Sequence, residues 1–336
     1  MAEAPVTIHD VARHLGISAA TVSNYFNWPD KLSARMKERV GGAVEELGFV
    51  PSMPARQLRR QHSGIVGLSV VNASNPFFAG IATAVEQVAE DAGLSVVVGS
   101  SHESAVRQEK FLTLFEQLRF DGVVVAPSDD ELEPLRRRRD RGTPVVLVDH
   151  EDPDGRLSSV SLDHHEGGRL AARHLIDVGR RRLLFAAGAE GVRQVERRLE
   201  GCREIVRATP DAHLDVVRSD DLDIAVGEET GAWIAGLDPA DRPDAVFAGN
   251  DLHAIGLVDA LLAAGLRVPD DVAVVGYDDI PFAALAAVPL TTVRQPISEM
   301  GRAAARLLLD EIAEPGRPPR DVVFPPELVV RASTRP

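Results

Sequence analysis

The first 48 residues carry apolar side chains at helical spacing and show no strand-like alternation. Residues 7–10 (TIHD) have the pattern of a capping box, which predicts the start of a first helix. Ser18 and Ser33 are suitable N-caps for a second and a third helix, and Gly16 and Gly48 end the first and the third. Three short helices with a glycine between the first two predict a helix-turn-helix arrangement.

From Gly64 onward, short apolar runs alternate with helical patterns. The predicted strands are residues 65–71, 94–99, 122–127, 144–149, 160–162, 183–187, 245–249 and 272–277, and the predicted helices include 78–92, 108–118, 168–178 and 253–264. Nearly continuous apolar strands that alternate with helices indicate parallel sheets covered on both faces. The segment is too long for one typical sheet, so we expect two α/β subdomains with a ligand cleft between the carboxyl ends of their strands.

The composition is that of a soluble globular chain, with 44% apolar and 26% charged residues among 336. No run of about 18 uncharged apolar residues occurs, and the N-terminus lacks the pattern of a secretory signal. We therefore expect a cytoplasmic protein with no membrane partner. With one cysteine and no Cys/His cluster, the sequence predicts no disulfide, no metal site and no cofactor.

The sequence also gives no sign of an enzyme. No GxGxxG loop follows the first predicted strand, and neither a Walker A loop nor a GxSxG elbow is present. We expect a binding protein rather than a catalyst.

The net charge of -14 is unevenly distributed. Residues 1–62 carry eight basic and six acidic side chains, whereas the remainder carries 29 basic and 45 acidic ones. Residues 49–62 include three arginines and no acid. A basic head on an acidic body is able to dock on a polyanion head first, since phosphate contacts act within about 10 Å.

Short motifs along the whole chain carry a family resemblance. They are residues 6–12 (VTIHDVA), 16–18 (GIS), 21–23 (TVS), 51–58 (PSMPARQL), Asp163 with 166–168 (EGG), 198–201 (RLEG), 249–251 (GND), 275–279 (VGYDD) and 289–296 (PLTTVRQP). In this order, the motifs resemble those of the LacI/GalR (lactose-repressor) family.

The resemblance implies an N-terminal all-α helix-turn-helix head followed by an α/β periplasmic-binding-protein-like core of two parallel-sheet subdomains. The expected boundaries are 1–48 for the head, 49–62 for a hinge and 63–336 for the core. The N-subdomain would cover about 63–162 and 296–320, and the C-subdomain about 163–293 and 321–332. The chain would cross between them near Asp163, near 294–296 and near Arg320.

The second helix of a helix-turn-helix enters the major groove of DNA. The predicted DNA contacts in the head are Thr7, Ala19, Ala20, Thr21, Ser23, Asn24, Asn27 and Ser33. Asn24 stands where the family commonly carries arginine. Arginine is suited to guanine, whereas asparagine favours adenine at the contacted base. Whether Tyr25 faces the core or the DNA is left open by the sequence.

The hinge is polar and basic, so by itself it is expected to be disordered. The resemblance implies that it becomes helical on operator DNA and inserts Leu58 into the minor groove beside Arg56. Pro54 predicts a helix that starts late, because proline disfavours helical dihedrals at the preceding residue.

In the core, polar groups follow several predicted strands. The resemblance carries an effector-binding role onto Phe77, Phe78, Asp149, Asp163, Gln194, Arg198, Asn250 and Asp278. For any single acid after a strand, a helix N-cap is the plainer interpretation. Carboxylates and a guanidinium that bridge hydroxyls, beside an aromatic wall, suit a sugar or polyol, with a nucleobase next.

Three other features are interpreted structurally. The arginine run 136–139 is expected to be a solvated helix face, His164 and His165 lack a third ligand for a metal, and Cys202 is expected to be a core residue.

The sequence therefore predicts a homodimeric regulator of transcription that binds double-stranded palindromic operator DNA and responds to a small effector. Candidate dimer surfaces are the helices that start near Phe78 and Asp251. The alternative is a cytoplasmic small-solute sensor with weak or non-specific DNA binding.

Overall fold

The computed structural model describes residues 6–50 and 62–335, which fall into two units that divide between Ser63 and Gly64. The predicted hinge contacts Arg56 and Leu58, together with Pro54, lie outside the described residues.

The head contains three α-helices, as predicted. They are α1 (Ile8–Leu15), α2 (Ala19–Asn27) and α3 (Ala34–Leu47), with a 3-10 turn at Pro29–Lys31. At the start of α1, the Asp10 carboxylate accepts hydrogen bonds from the Thr7 N–H at 3.0 Å and the Thr7 hydroxyl at 2.6 Å. Ser18 and Ser33 cap the other two helices with their hydroxyl oxygens.

The core of the head is small. Its fully buried side chains are Val11, Ala12, Val22, Val40 and Ala43. Such a unit is close to the lower size limit for independent folding, so its stability is expected to be modest.

The larger unit begins with a six-stranded sheet, here called the first sheet. Its strands are β1 (Ile65–Val70), β2 (Ser95–Ser100), β3 (Gly122–Val125), β4 (Val145–Val148), β5 (Ser158–Leu162) and β11 (Asp321–Phe324). They pair in parallel in the order β11-β5-β4-β3-β1-β2. The helices of this subdomain are α4 (Pro76–Asp91), α5 (Ala105–Gln117), α6 (Glu133–Asp140) and α11 (Ile297–Ala313).

The second sheet also has six strands. Its strands are β6 (Arg182–Ala187), β7 (His213–Arg218), β8 (Ala245–Ala248), β9 (Ala273–Asp278), β10 (Thr291–Arg294) and β12 (Glu327–Val329). They pair in the order β12-β10-β9-β8-β6-β7, and β12 runs antiparallel to its neighbour. The helices of this subdomain are α7 (His164–Asp177), α8 (Arg193–Arg207), α9 (Ile224–Ala235) and α10 (Asp251–Ala263).

Both sheets are covered on their two faces. In the first sheet, Val124 and Val146 join the apolar cluster that contains α4 and α11, whereas their neighbours Val123 and Val145 join the cluster of α5 and α6. Successive residues of a strand point to opposite faces, so continuous apolar runs are what a doubly covered sheet requires.

The third crossing between subdomains differs from the prediction. It was expected near Arg320, but β11 pairs with β5 in the first sheet, and the chain reaches the second sheet only at Glu327. The crossing therefore falls at Pro325 and Pro326. Proline has no N–H to donate to a ladder, which ends the pairing of β11 at this point.

Helices α7 and α8 approach unusually closely because glycines lie between them. A Cβ on Gly168 would lie 2.0 Å from the Arg198 carbonyl oxygen, and one on Gly201 would lie 2.0 Å from the His165 carbonyl oxygen. The motif residues 166–168 and 198–201 thus have a packing role in which two helix backbones touch.

Candidate functional site

A cleft lies at the carboxyl ends of the strands of both sheets, as predicted for facing α/β subdomains. Its lining includes residues that end a strand or follow one within two positions, namely Val71, Pro127, Asp149, Asn250 and Asp278. The cavity has a volume of about 300 Å³, enough for a small organic molecule.

Seven of the eight predicted effector residues come together in this cleft. They are Phe77, Phe78, Asp149, Gln194, Arg198, Asn250 and Asp278. The first three belong to the first subdomain and the other four to the second, so the predicted set spans both walls.

Arg198 is buried and held from several sides. Its Nη1 donates to the Gly249 carbonyl at 2.6 Å, and its guanidinium carbon lies 3.6 Å from the centre of the Tyr277 ring. Its Nε lies 3.3 Å from Nδ1 of His164. These contacts fix the orientation of a positive charge at the cleft wall.

Asp278 ends β9 and is 4% exposed. Its Oδ1 accepts a hydrogen bond from the Gln295 Nε2 at 2.7 Å. Burial raises the pKa of Asp278 to about 7; the charge of Arg198 opposes this shift, and that of Asp149 adds to it. Near neutral pH this carboxyl group is therefore able both to donate and to accept hydrogen bonds.

Asp149 and Asp278 share an uncommon backbone conformation, with φ values of 56° and 106°. A non-glycine residue with positive φ is infrequent and costs conformational energy, and such residues cluster at functional sites. Both carboxylates point from strand ends into the same cleft.

The remaining predicted residues have structural roles as well as a place in the lining. Gln194 donates from Nε2 to the Asp149 carbonyl, which joins the two subdomains. Asn250 caps α10 by accepting a hydrogen bond from the His253 N–H at 2.8 Å. Phe77 and Phe78 form an edge-to-face pair with ring centres 5.0 Å apart, and both are buried.

Asp163 is not among the residues that line the main cavity. Its Oδ1 caps α7 by accepting from the Glu166 N–H at 2.9 Å. It lines an adjoining cavity of about 200 Å³, whose walls also include Asp149, Arg193 and Gln194 of the cleft. Its role toward an effector therefore stays a prediction beside its observed role as an N-cap.

Several acidic residues in the lining were missed. They are Glu103, Asp129, Asp130 and Glu190. Each lies a few residues beyond a strand, in a loop with no distinctive motif, so only their position after β2, β3 and β6 could have indicated them. Burial and the negative charge of Asp221 raise the pKa of Glu103.

The arginine run at 136–139 is not a simple solvated face, contrary to the prediction. Arg138 is 4% exposed and donates to Glu109 at 2.6 Å, and Arg136 pairs with the buried Asp152. The acidic neighbours were too far away in sequence to be recognised.

The remaining sequence interpretations concern Cys202, metal binding and membrane spans. Cys202 lies in the core, and burial raises the pKa of its thiol to about 12, which suppresses thiolate chemistry. Within residues 6–50 and 62–335, no three His, Cys, Asp or Glu side chains converge to hold a metal ion. In the same residues, no helix combines the length and apolar character of a membrane span.

The head presents a second candidate surface on α2. Ala20 is exposed and Asn24 half-buried, whereas Ala19 packs partly against the core of the head. Thr7 and Ser33 lie at the N-termini of α1 and α3.

Three further α2 residues take part in packing or local hydrogen bonds. Tyr25 is half-buried and packs against the core of the head. Thr21 lies in hydrogen-bond contact with Ser18, with 2.9 Å between their hydroxyl oxygens. Asn27 donates to the Ser23 carbonyl at 2.8 Å.

A three-helix head with a helix-turn-helix, in one chain with a two-subdomain core and a polar cleft, is typical of the class of ligand-binding regulators of transcription. Residues 7–52 match the model of the bacterial regulatory proteins of the lacI family, and residues 172–334 match that of the periplasmic binding protein-like domain.

Similarity to other proteins extends over nearly the whole chain. The ribose operon repressor of Halalkalibacterium halodurans is 34% identical over 98% of this chain and 97% of its own length, and the transcriptional repressor PurR of Photobacterium profundum is 32% identical over 98% of both. The lac repressor dimer bound to operator and the anti-inducer ONPF is 26% identical with a TM-score of 0.83, covering 98% of this chain and 99% of that one. A complex of the regulator CelR with cellobiose is 33% identical with a TM-score of 0.71 and covers the same shares of both chains.

The chain therefore belongs to the LacI family of bacterial regulatory proteins. It is a DNA-binding transcription regulator with a ligand-binding domain, not an enzyme.

The buried carboxyl group of Asp278 predicts a specific pH dependence of stability. Its pKa is about 7 in the folded chain and 3.8 in the reference state, so the folded state binds more protons between these values. Stability should fall as pH rises from about 4 to about 7 and then level off. Urea unfolding measures this at pH 5 and pH 8. Between these two values the free energy of unfolding of wild type should fall by about 2 kcal/mol more than that of Asp278→Asn.

The matched control is Asp220→Asn at an exposed position, which should follow the wild-type profile over this range. Parallel profiles for wild type and Asp278→Asn would contradict the assigned protonation of Asp278.

Proposed function

We propose that this protein binds a palindromic operator as a dimer and represses transcription under the control of a neutral sugar or polyol in the cleft. The observation that carries the proposal is the convergence of Asp149, Arg198, Asn250 and Asp278 at strand ends of two facing subdomains. An operator as partner also implies a cytoplasmic location.

The charge of the cleft favours a neutral, hydroxyl-rich effector. Its lining holds six carboxyl groups against the guanidinium groups of Arg193 and Arg198. Arg198 is already engaged with Gly249 and Tyr277. A phosphorylated or carboxylated ligand would meet net repulsion, whereas sugar hydroxyls both donate to carboxylates and accept from a guanidinium.

The aromatic residues in the cleft favour a sugar over a nucleobase. The phenyl rings in its described lining are those of Phe77 and Phe78, which are 2% and 8% exposed. At this exposure they leave little free ring face, whereas a planar base gains most from an open face on which to stack. The similarity to a ribose operon repressor and to a cellobiose complex supports the same choice, and the similarity to PurR keeps purines in the test.

We expect a neutral sugar to stabilise the full-length protein in a thermal-shift screen. The screen compares D-ribose, D-glucose and cellobiose with ribose 5-phosphate, hypoxanthine and guanine. A binder at 100 times its dissociation constant adds about 2.7 kcal/mol, which raises the melting temperature by roughly 5 °C or more.

The response to that sugar should be lost in Arg198→Ala and Asp278→Ala, because both side chains line the cleft, while DNA binding persists. Asp177→Ala is the matched control, since Asp177 is exposed at the end of α7 and lines neither this cleft nor the adjoining cavity. Stabilisation by a purine or by the phosphorylated sugar alone would contradict the neutral-sugar proposal.

The exposed start of α2 supports readout of the major groove by the head. Ala20 and Asn24 lie one turn apart on this helix, and asparagine is suited to the N6 and N7 edge of adenine. Minor-groove insertion by Leu58 stays a prediction.

Selection from a library of duplexes should enrich one symmetric sequence. Asn24→Ala should then relax the preference at one base pair in each half-site by about 1–3 kcal/mol. The salt dependence of binding is the internal control; it should stay unchanged because no phosphate contact is removed. Equal recovery of all sequences would instead support a solute sensor with non-specific DNA binding.

An exposed apolar surface on the second subdomain supports the dimer. Phe282 and Leu285 are 54% and 79% exposed, and they lie with Leu252, Ile255 and Ile224 around one open groove. Part of this surface comes from α10, one of the two helices predicted for the interface. Apolar surface of this kind, when contiguous, marks sites of association.

Leu285→Glu should therefore shift the protein from dimer to monomer in sedimentation velocity, because it would bury a charge in the interface. Binding to a palindromic duplex should weaken at least tenfold. Val178→Glu, at another exposed apolar residue, should remain dimeric, and a dimeric Leu285→Glu protein would contradict this interface.

A further inference from the structure

His164 is buried behind the cleft wall and has polar groups near both ring nitrogens. Its Nδ1 lies 3.0 Å from the Tyr277 hydroxyl oxygen and 3.3 Å from Nε of Arg198. A guanidinium donates and does not accept hydrogen bonds, so Nδ1 is the acceptor. In the neutral ring the proton is therefore on Nε2.

The Nε2 side faces the other subdomain. It lies 3.3 Å from Oδ1 of Asp149, which follows β4 of the first sheet, whereas His164 begins α7 of the second subdomain. Among the described residues, neither atom has a hydrogen-bond partner of ordinary geometry. Leaving both unpaired would be costly at this burial, so each is the natural partner of the other.

The surroundings favour the neutral ring. Burial and the positive charge of Arg198 lower the pKa of His164, against the opposing effect of Asp149. A second proton on Nδ1 would point at the donors of Arg198. The ring is thus suited to accept on one side and to donate on the other.

We propose that His164 is a positioning residue that couples Arg198 to Asp149, two cleft-lining side chains from opposite subdomains. The inference rests on the proposed effector role of the cleft. His164 and Arg198 lie on helices whose backbones touch at Gly168 and Gly201, so they move together. A change in the angle between subdomains then changes the distance between Nε2 of His164 and Oδ1 of Asp149.

Two substitutions of His164 distinguish the roles of its two ring nitrogens. His164→Asn places an amide oxygen near the position of Nδ1 and is too short to reach Asp149. His164→Gln places an amide N–H near the position of Nε2 and retains a donor toward Asp149. Asp149→Gly removes the carboxylate without backbone strain, because its φ of 56° suits glycine.

The test is the change in melting temperature that Asp149→Gly causes in each background of the full-length protein. We expect this change to be at least about 3 °C more unfavourable in wild type and in His164→Gln than in His164→Asn. His165→Gln is the matched control; His165 pairs with Glu204 instead, so this background should behave as wild type. The same cost of Asp149→Gly in all four backgrounds would overturn the proposal.

A spectroscopic measurement on the wild-type ring keeps the test independent of the variants. In long-range ¹H–¹⁵N spectra of histidine-labelled protein, the His164 signals are identified by their loss in His164→Gln. We expect a neutral ring with the proton on Nε2 at pH 7. A ring protonated on Nδ1, or on both nitrogens, would refute the coupling.

Neither measurement uses an effector. A failed sugar screen with a positive result here would leave the coupling intact and reject the sugar. If a sugar stabilises the protein but Asp149→Gly lowers the melting temperature equally in all four backgrounds, the proposed function stands and the coupling through His164 is rejected.

Discussion

The buried guanidinium of Arg198 is the interaction around which the core is organised. It stacks on Tyr277, donates to the carbonyl of Gly249 and reaches His164, so it links α8 with β9, the end of β8 and α7. A positive charge at this depth requires compensation. Asp149 and Asp278 line the same cleft from its two walls, and the charge of Arg198 offsets part of the cost of ionising the buried Asp278. A polar cleft between two apolar sheets is stable because these groups satisfy one another.

Much of the architecture was predictable because its signals are local. Capping at Thr7, Ser18 and Ser33 fixed the helices of the head, and the apolar runs located eight strands of the core. Strands β7, β10, β11 and β12 were not predicted. They lie at or near sheet edges, and β7 and β11 alternate between exposed and half-buried residues, so their apolar runs are weak. The third crossing was misplaced for the same reason, since pairing of β11 with β5 joins segments far apart in sequence.

The site was predictable to a different degree. Seven residues of the cleft follow from the family resemblance together with the rule that strand ends converge. The role of Asp163 is ambiguous in the sequence, because an acid after a strand has the same local pattern whether it caps a helix or faces a ligand; the structure shows the cap. Glu103, Asp129, Asp130 and Glu190 were missed because loop carboxylates look alike in sequence until the fold brings them together. The role of His164 depends on three partners from separate elements, and no spacing in the chain signals it.

The two prolines between β11 and β12 have a mechanical consequence. Neither Pro325 nor Pro326 has an amide hydrogen, so this connection cannot donate a ladder hydrogen bond to the edge of either sheet. Reorienting one half of the core against the other therefore breaks no backbone hydrogen bond donated from this strand connection. The restricted φ of proline also limits the conformations of this link. With only two residues between β11 and β12, the Cα atoms of Phe324 and Glu327 stay within about 11 Å of each other, which limits how far the two sheets are able to separate at this point.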